Sequence, residues 1–379
     1  MAKLSKTKLL SLISQEVQNS LGFYSSELAT QRKEAIKYYL GEPLGNEVEG
    51  RSGVVSQDLL EVVEAILPSL MRMFTQSDKM VNFEPTQPED VPYAEQITDY
   101  CNHIFTKDND GFSILHSMFK TALLQKNGFC KIYWKPSTEQ KKESYKHLDE
   151  TQYQALLIDE AVELIGVDEI EEENGVFYDV EVRRKKDYGR VQIDPVPPEE
   201  ILVSKRATSL EDCDFIAQRV MKTVSELIDM GYSKKLVESL PTTEEQIFNT
   251  EAVVRRSYDD ETTDLDASLV DPSLRVVQIT ECYMKADMDG DGIAELRKIT
   301  VGGSGYNNYV ILENEEINKI PFAMCVAIPM PFRFFGLSFY DLLADLQQVK
   351  TTVLRNTLDN MYFQNNARTV VVDGQANLD

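Results

Sequence analysis

Residues 287–296 read DMDGDGIAEL, three aspartates on alternate positions around two glycines, followed by a glutamate. Asp287, Asp289 and Asp291 offer the hard carboxylate oxygens that calcium and magnesium take, and Gly292 permits the sharp reversal that would aim them at one point. Glu295 falls at the ninth position of this pattern. The twelfth, where an EF-hand needs a bidentate glutamate, is Lys298, and strand-like sequence flanks the loop, so an EF-hand is excluded. Two readings remain. One is a hairpin-borne site for Ca²⁺ or Mg²⁺ with Asp287, Asp289, Asp291 and Glu295 as ligands. The other is a tight Asp/Gly turn that needs no ion, because those residues already suit turns and water screens carboxylates on an exposed tip.

No other segment carries a chemistry so compactly. His103, His116 and His147 have no metal-ligand spacing, and there is no nucleophile elbow, P-loop or dinucleotide fingerprint. GGSG at 302–305 lacks the lysine and helix that phosphate binding requires. The acidic run from Asp168 to Glu173 could be imagined as a nuclease metal site, but consecutive carboxylates point in different directions, which suits a solvated face. Arg183, Arg184, Lys185, Lys186 and Arg190 form the one concentrated basic patch, expected at the end of a hairpin. It could touch DNA phosphates or an acidic neighbouring subunit, or be an ordinary charged tip.

Composition narrows these choices. The chain has 63 acidic and 39 basic residues, a net charge of −24, so its surface should repel a phosphate polymer rather than grip it. Subunit pairing is therefore the better use of the basic patch. At 42% hydrophobic and 9% aromatic over 379 residues, the chain can bury two or three cores. Cys101, Cys130, Cys213, Cys282 and Cys325 have no CxxC spacing and read as reduced, buried thiols. No apolar run reaches signal or membrane-span length.

The elements that must position these residues follow from periodicity. Residues 4–40 read as one helix. A second helix starts at Ser56 as N-cap, with a kink or break at Pro68, and two more cover about 92–106 and 112–126, the last closed by Asn127-Gly128. FCKIYW begins a strand, and VFYDVEVRRKKDYGRVQI (176–193) reads as two strands turning at Asp187-Tyr188-Gly189. Thr223 and Glu226 have capping-box spacing ahead of a short helix stopped by Gly231, and SKKLVESLP forms another. Residues 241–272 are a polar, acidic connection. A three-strand meander follows, with the aspartate loop as its first turn. From Ser338, with Asp341 at capping-box distance, one helix runs to about Asn365, roughly 40 Å long. Leu342, Leu346, Val349 and Val353 lie on one flank, and Lys350, Arg355, Asn356 and Asn360 elsewhere.

Taken in order, YYLGEP…EGRSGVVSQDLLEVVEAILPSLMRMF, LLQKNGFCKIYW, IDPVPPEEILVSKRATSLEDCDFIAQRV, DMDGDGIAELR and IPMPFRFFGLSFYDLLADLQQVKTTVLRNTLDNMY resemble the portal proteins of tailed bacteriophages. The likeness is to the large portals of short-tailed, podovirus-type phages and spans about residues 30–379. It implies an α+β portal fold with a helix-rich N-terminal wing (1–90), an α+β wing region with antiparallel hairpins (91–336), a long stem-type helix (337–366) and the start of a clip-like region (367–379). By the same resemblance the protein is no enzyme and needs no cofactor. It would be a ring, dodecameric in the family, at the unique portal vertex of the virion, assembled in the host bacterial cytoplasm. Double-stranded DNA would pass through it non-specifically during packaging and ejection. Its partners would be terminase, capsid and scaffolding proteins and tail adaptors, with no membrane. Lys350, Arg355, Asn356 and Asn360 become candidates for the channel face or subunit interface. Family members continue into a second stem helix, tunnel loop and crown, so the sequence reads as C-terminally truncated. The rival reading is a calcium-dependent structural or binding protein built on Asp287–Glu295. A metal-dependent nuclease has only scattered carboxylates behind it.

Overall fold

A computed structural model describes residues 4–20, 27–77, 79–159, 161–172, 175–241, 271–303 and 309–366. The fold is mixed α+β with antiparallel sheets, and it divides into two compact units.

The first unit comprises residues 1–80, 112–131 and 194–379. The first of its helices are α1 (Lys6–Asn19), α2 (Glu27–Leu40), α3 (Asp58–Thr75) and α5 (Gly111–Gln125), with α4 (Val91–His103) lying in the second unit. The stretch expected as one helix over 4–40 is therefore two. The helix across Pro68 is continuous, with Pro68 on its exposed side.

The frame of this unit is a five-stranded antiparallel sheet in the order β4 (Ile201–Val203), β5 (Phe215–Thr223), β6 (Val276–Ala286), β7 (Glu295–Gly302), β8 (Val310–Glu316). The expected meander is its last three strands, with the aspartate loop joining β6 to β7. Side chains alternate in direction along a strand, so each face buries its own set. Leu9, Ile13 and Val17 of α1 cover Phe215, Cys282, Met284 and Ile299. On the other side Ile201, Ile216 and Tyr283 pack with Phe129, Phe322, Phe334 and Phe335. Two short helices, α7 (Val224–Asp229) and α8 (Lys234–Glu238), close the remaining end over Val277 and Ile279. The capping box of Thr223 and Glu226 starts α7 as its spacing predicts.

The start of β1 (Asn127–Leu148), residues 127–131, pairs antiparallel with β9 (Phe322–Val326). The exit from α5 departs from expectation. Lys126, not the glycine, takes the left-handed conformation at φ 80°. Gly128 is required for another reason: a Cβ there would meet the Met118 carbonyl oxygen at 2.0 Å.

The second unit, residues 81–111 and 132–193, holds α4, a π turn at Ile104–Asp108, the rest of β1, α6 (Glu150–Ile158), β2 (Val162–Glu172) and β3 (Gly175–Val196). β2 and β3 pair antiparallel from Val162↔Arg184 to Glu172↔Gly175. The expected turn at Asp187-Tyr188-Gly189 is absent, and β3 runs straight through it. Gly189 is there because the Trp134 indole lies where a Cβ would be, 2.3 Å from it. The acidic run from Asp168 is thus strand, and α6, started by an Asp149/Gln152 capping box, is an element the periodicity did not reveal.

The last described element is α9 (Phe339–Asn365), 27 residues capped by Ser338 with Asp341 as anticipated. Only its first turns join a core: Phe339, Tyr340 and Leu343 pack with Leu59, Val63, Leu67 and Met71 of α3 and Leu123 and Leu124 of α5. Residues 242–270 and RTVVVDGQ at 368–375, to which the sequence assigned an acidic connection and a clip, lie outside the described residues.

Candidate functional site

α9 inverts the usual amphipathic arrangement, in which the apolar stripe faces the chain's own core. Its buried residues are Gln347, Thr351 and Arg355, spaced by four, with exposures of 0%, 0% and 8%. Leu342, Leu346, Val349 and Val353 are between 50% and 64% exposed. At about 100° per residue the two rows lie on opposite sides of the helix. Further along, Leu354, Leu358, Met361, Tyr362 and Phe363 are exposed too.

The polar row is used on the segment joining α2 to α3. Gln347 accepts from the Leu59 amide at 3.0 Å and donates to the Tyr38 carbonyl at 3.0 Å. Thr351 accepts from the Ser56 amide at 3.1 Å, and Asp359 from the Ser52 amide at 2.8 Å. This explains why Ser56 does not cap α3: its backbone is held to α9, and Gln347 satisfies an orphan amide at the helix start. Arg355 donates to the Val54 and Gly53 carbonyls, to Asn46 Oδ1 at 2.7 Å and to Glu47 Oε1 at 2.6 Å. The guanidinium holds the Glu47 carboxyl far below its usual range, at about 2.

Arg355 is thus enclosed by its own chain and is not available to a lumen or a neighbour. Lys350 is exposed but pairs with Asp58. Asn356 and Asn360 are exposed and continue the line of the apolar row. At the start of α9, Asp341 pairs with Lys126 at 2.9 Å, the residue whose backbone is left-handed.

The basic residues are not at a hairpin tip but along β3, and their charge is largely met within the unit. Arg184 pairs with Glu143 at 3.1 Å and Asp159 at 2.9 Å, while Arg183 and Lys185 share Glu163 at 3.6 and 3.0 Å. Arg190 donates to the Asp108 carbonyl at 3.3 Å. Lys186 has no described side chain.

In the aspartate loop the carboxylates of Asp287, Asp289 and Asp291 each offer an oxygen within 4.8 Å of the others, a set that could hold a hard cation. Glu295 is not among them, and its carboxylate faces Arg297 at 3.4 Å. The same aspartates already serve the turn. Asp287 accepts from the Gly290 and Gly292 amides at 2.6 and 2.9 Å, Asp289 from Asp291, and Asp291 from Ile293. The Gly290 amide is the chief cause that lowers the Asp287 carboxyl.

Among the described residues nothing assembles these groups into a reaction centre. His103 faces Asp108 at 3.6 Å, His116 stacks on Phe112, and His147 stacks on Phe177. Burial raises the thiols of Cys130, Cys213, Cys282 and Cys325 above the ordinary value, which keeps them protonated and poor nucleophiles. Among the described residues no helix is long and apolar enough to cross a membrane.

The chain from residue 9 to residue 379 matches a family model described as the phage SU10 portal protein. No curated protein matches it significantly.

Proposed function

The chain belongs to the SU10 phage portal protein family, and we propose that it forms, copy beside copy, the channel at the capsid vertex through which DNA is packaged and ejected. Membership makes it a non-enzymatic phage structural protein and implies a homo-oligomeric ring. The finer reading rests on α9. A helix that turns its polar row inward and leaves Leu342, Leu346, Val349 and Val353 in water is unfinished in one copy. A second copy can cover that row, and a contact repeated head to tail closes into a ring.

In this reading α9 is a stem-type helix beside the channel and the units before it form the wing. The net charge of −24 suits a conduit for a polyanion, since a basic lining would bind DNA and oppose its movement. Terminase, capsid and scaffolding proteins and tail adaptors would dock on the ring's outer surfaces at the virion's portal vertex. Electron microscopy of the purified protein tests the reading. Annular particles are expected, and a field of single copies at all concentrations would refute it.

A further inference from the structure

We propose that Phe332 and Arg333 form an anchor by which one copy of this chain grips the next, an inference that rests on the ring reading above. Residues 330–333 make a turn closed by the Arg333 amide donating to the Met330 carbonyl at 3.3 Å. Pro331 holds the second position, which its fixed φ suits, and Phe332 holds the third with φ at 60°. Turns of this kind reserve that place for glycine or asparagine, because in the left-handed region a Cβ crowds the following carbonyl. A bulky aromatic residue there is a true outlier.

What the strained residue does is display its ring. Phe332 is 92% exposed, the most exposed large apolar side chain among the described residues. The next two aromatics, Phe334 and Phe335, are buried at 3% and 8% in the core beneath the sheet. The turn therefore sends one of three neighbouring rings outward, where it contributes nothing to this chain's own packing. Strain of this sort persists where the conformation is used.

Charge identifies the partner as a second copy. Arg333 is exposed, and its guanidinium makes no ion pair with any described residue. A cation set beside the ring is drawn to acidic groups, and a second copy, with 63 acidic against 39 basic residues, offers more of these than of basic ones. Aromatic residues, phenylalanine among them, and arginine are also enriched at protein interfaces over the rest of the surface. The same turn leads directly into α9, whose apolar row is the surface assigned to subunit contact.

Sedimentation velocity of the whole purified protein over a concentration series, alongside thermal unfolding, tests the anchor. Phe332→Gly relaxes the turn, so the isolated chain should melt at an unchanged or higher temperature, while the concentration for half-assembly rises about tenfold or more. Arg333→Glu should weaken assembly at low salt and do so less as salt is added. If Phe332→Gly assembles at the unaltered concentration, the anchor is wrong while the ring stands. If it melts lower, the ring serves the fold and the anchor is wrong as well. An unaltered protein that never associates would overturn both.

Discussion

Arg355 on α9 donates to the Glu47 carboxylate at 2.6 Å, joining two residues 308 positions apart in the chain. Around that pair the guanidinium also holds two backbone carbonyls and Asn46, so the loop between α2 and α3 is fastened to the long helix at a single buried cation. Removing it strands several acceptors at once. Arg355→Ala should lower the unfolding free energy by about 2–4 kcal/mol, the scale for breaking a buried charged network. Arg355→Lys should recover only part, because an ammonium cannot reproduce the fork. Urea denaturation of the two variants checks this.

The same pair sets a pH dependence. The Glu47 carboxyl titrates at about 2 in the folded chain against 4.5 ordinarily, so its contribution is complete above 4.5 and is lost as pH falls from there toward 2. The difference in urea midpoint between the unaltered protein and Glu47→Gln should be constant from pH 7 to 5 and shrink on further acidification. A difference that grows on acidification would mean that the pair is not formed.

Gly128→Ala should be among the most damaging single-methyl changes in the chain, because the new carbon would sit 2.0 Å from the Met118 oxygen. Separating α5 from β1 to admit it should cost about 3 kcal/mol or more, beyond ordinary overpacking. Gly45→Ala, with positive φ but open space around it, should lose far less. Comparing the two melting temperatures separates close approach from backbone conformation.

In the aspartate loop, Asp287→Ala removes the carboxylate that accepts from the Gly290 and Gly292 amides. Hydrogen exchange at these two amides should quicken, while exchange along the centre of β6 and β7 stays slow. Uniform loosening of both strands would show that the loop does more than close the hairpin.

How far these features could be read in advance depended on whether their cause was local. The capping boxes at Thr223 and Ser338 and the Asp/Gly turn between two strand-like runs are short-range signals, and the chain forms those elements as they indicate. A glycine after Asp187-Tyr188 suits a turn as well as a strand, and only the Trp134 indole, lying where a Cβ would be, decides the role of Gly189. Asp149 and Gln152 did carry a cap signal for α6, hidden within a charged stretch. Arg355 looked like a lumen or interface residue because helical spacing places it away from the apolar row. Which side of α9 faces the chain's own body is settled by segment 46–54, some three hundred residues earlier.

The most direct test of the central claim is the mass of the purified protein measured with and without a charge on the exposed row of α9. The unaltered protein should form a discrete, closed multiple of the single chain. The double variant Leu346→Asp, Val349→Asp should remain a folded single copy with an unchanged melting temperature, since neither side chain is part of the chain's own core. A variant that assembles to the same mass would contradict the claim that this face joins the subunits.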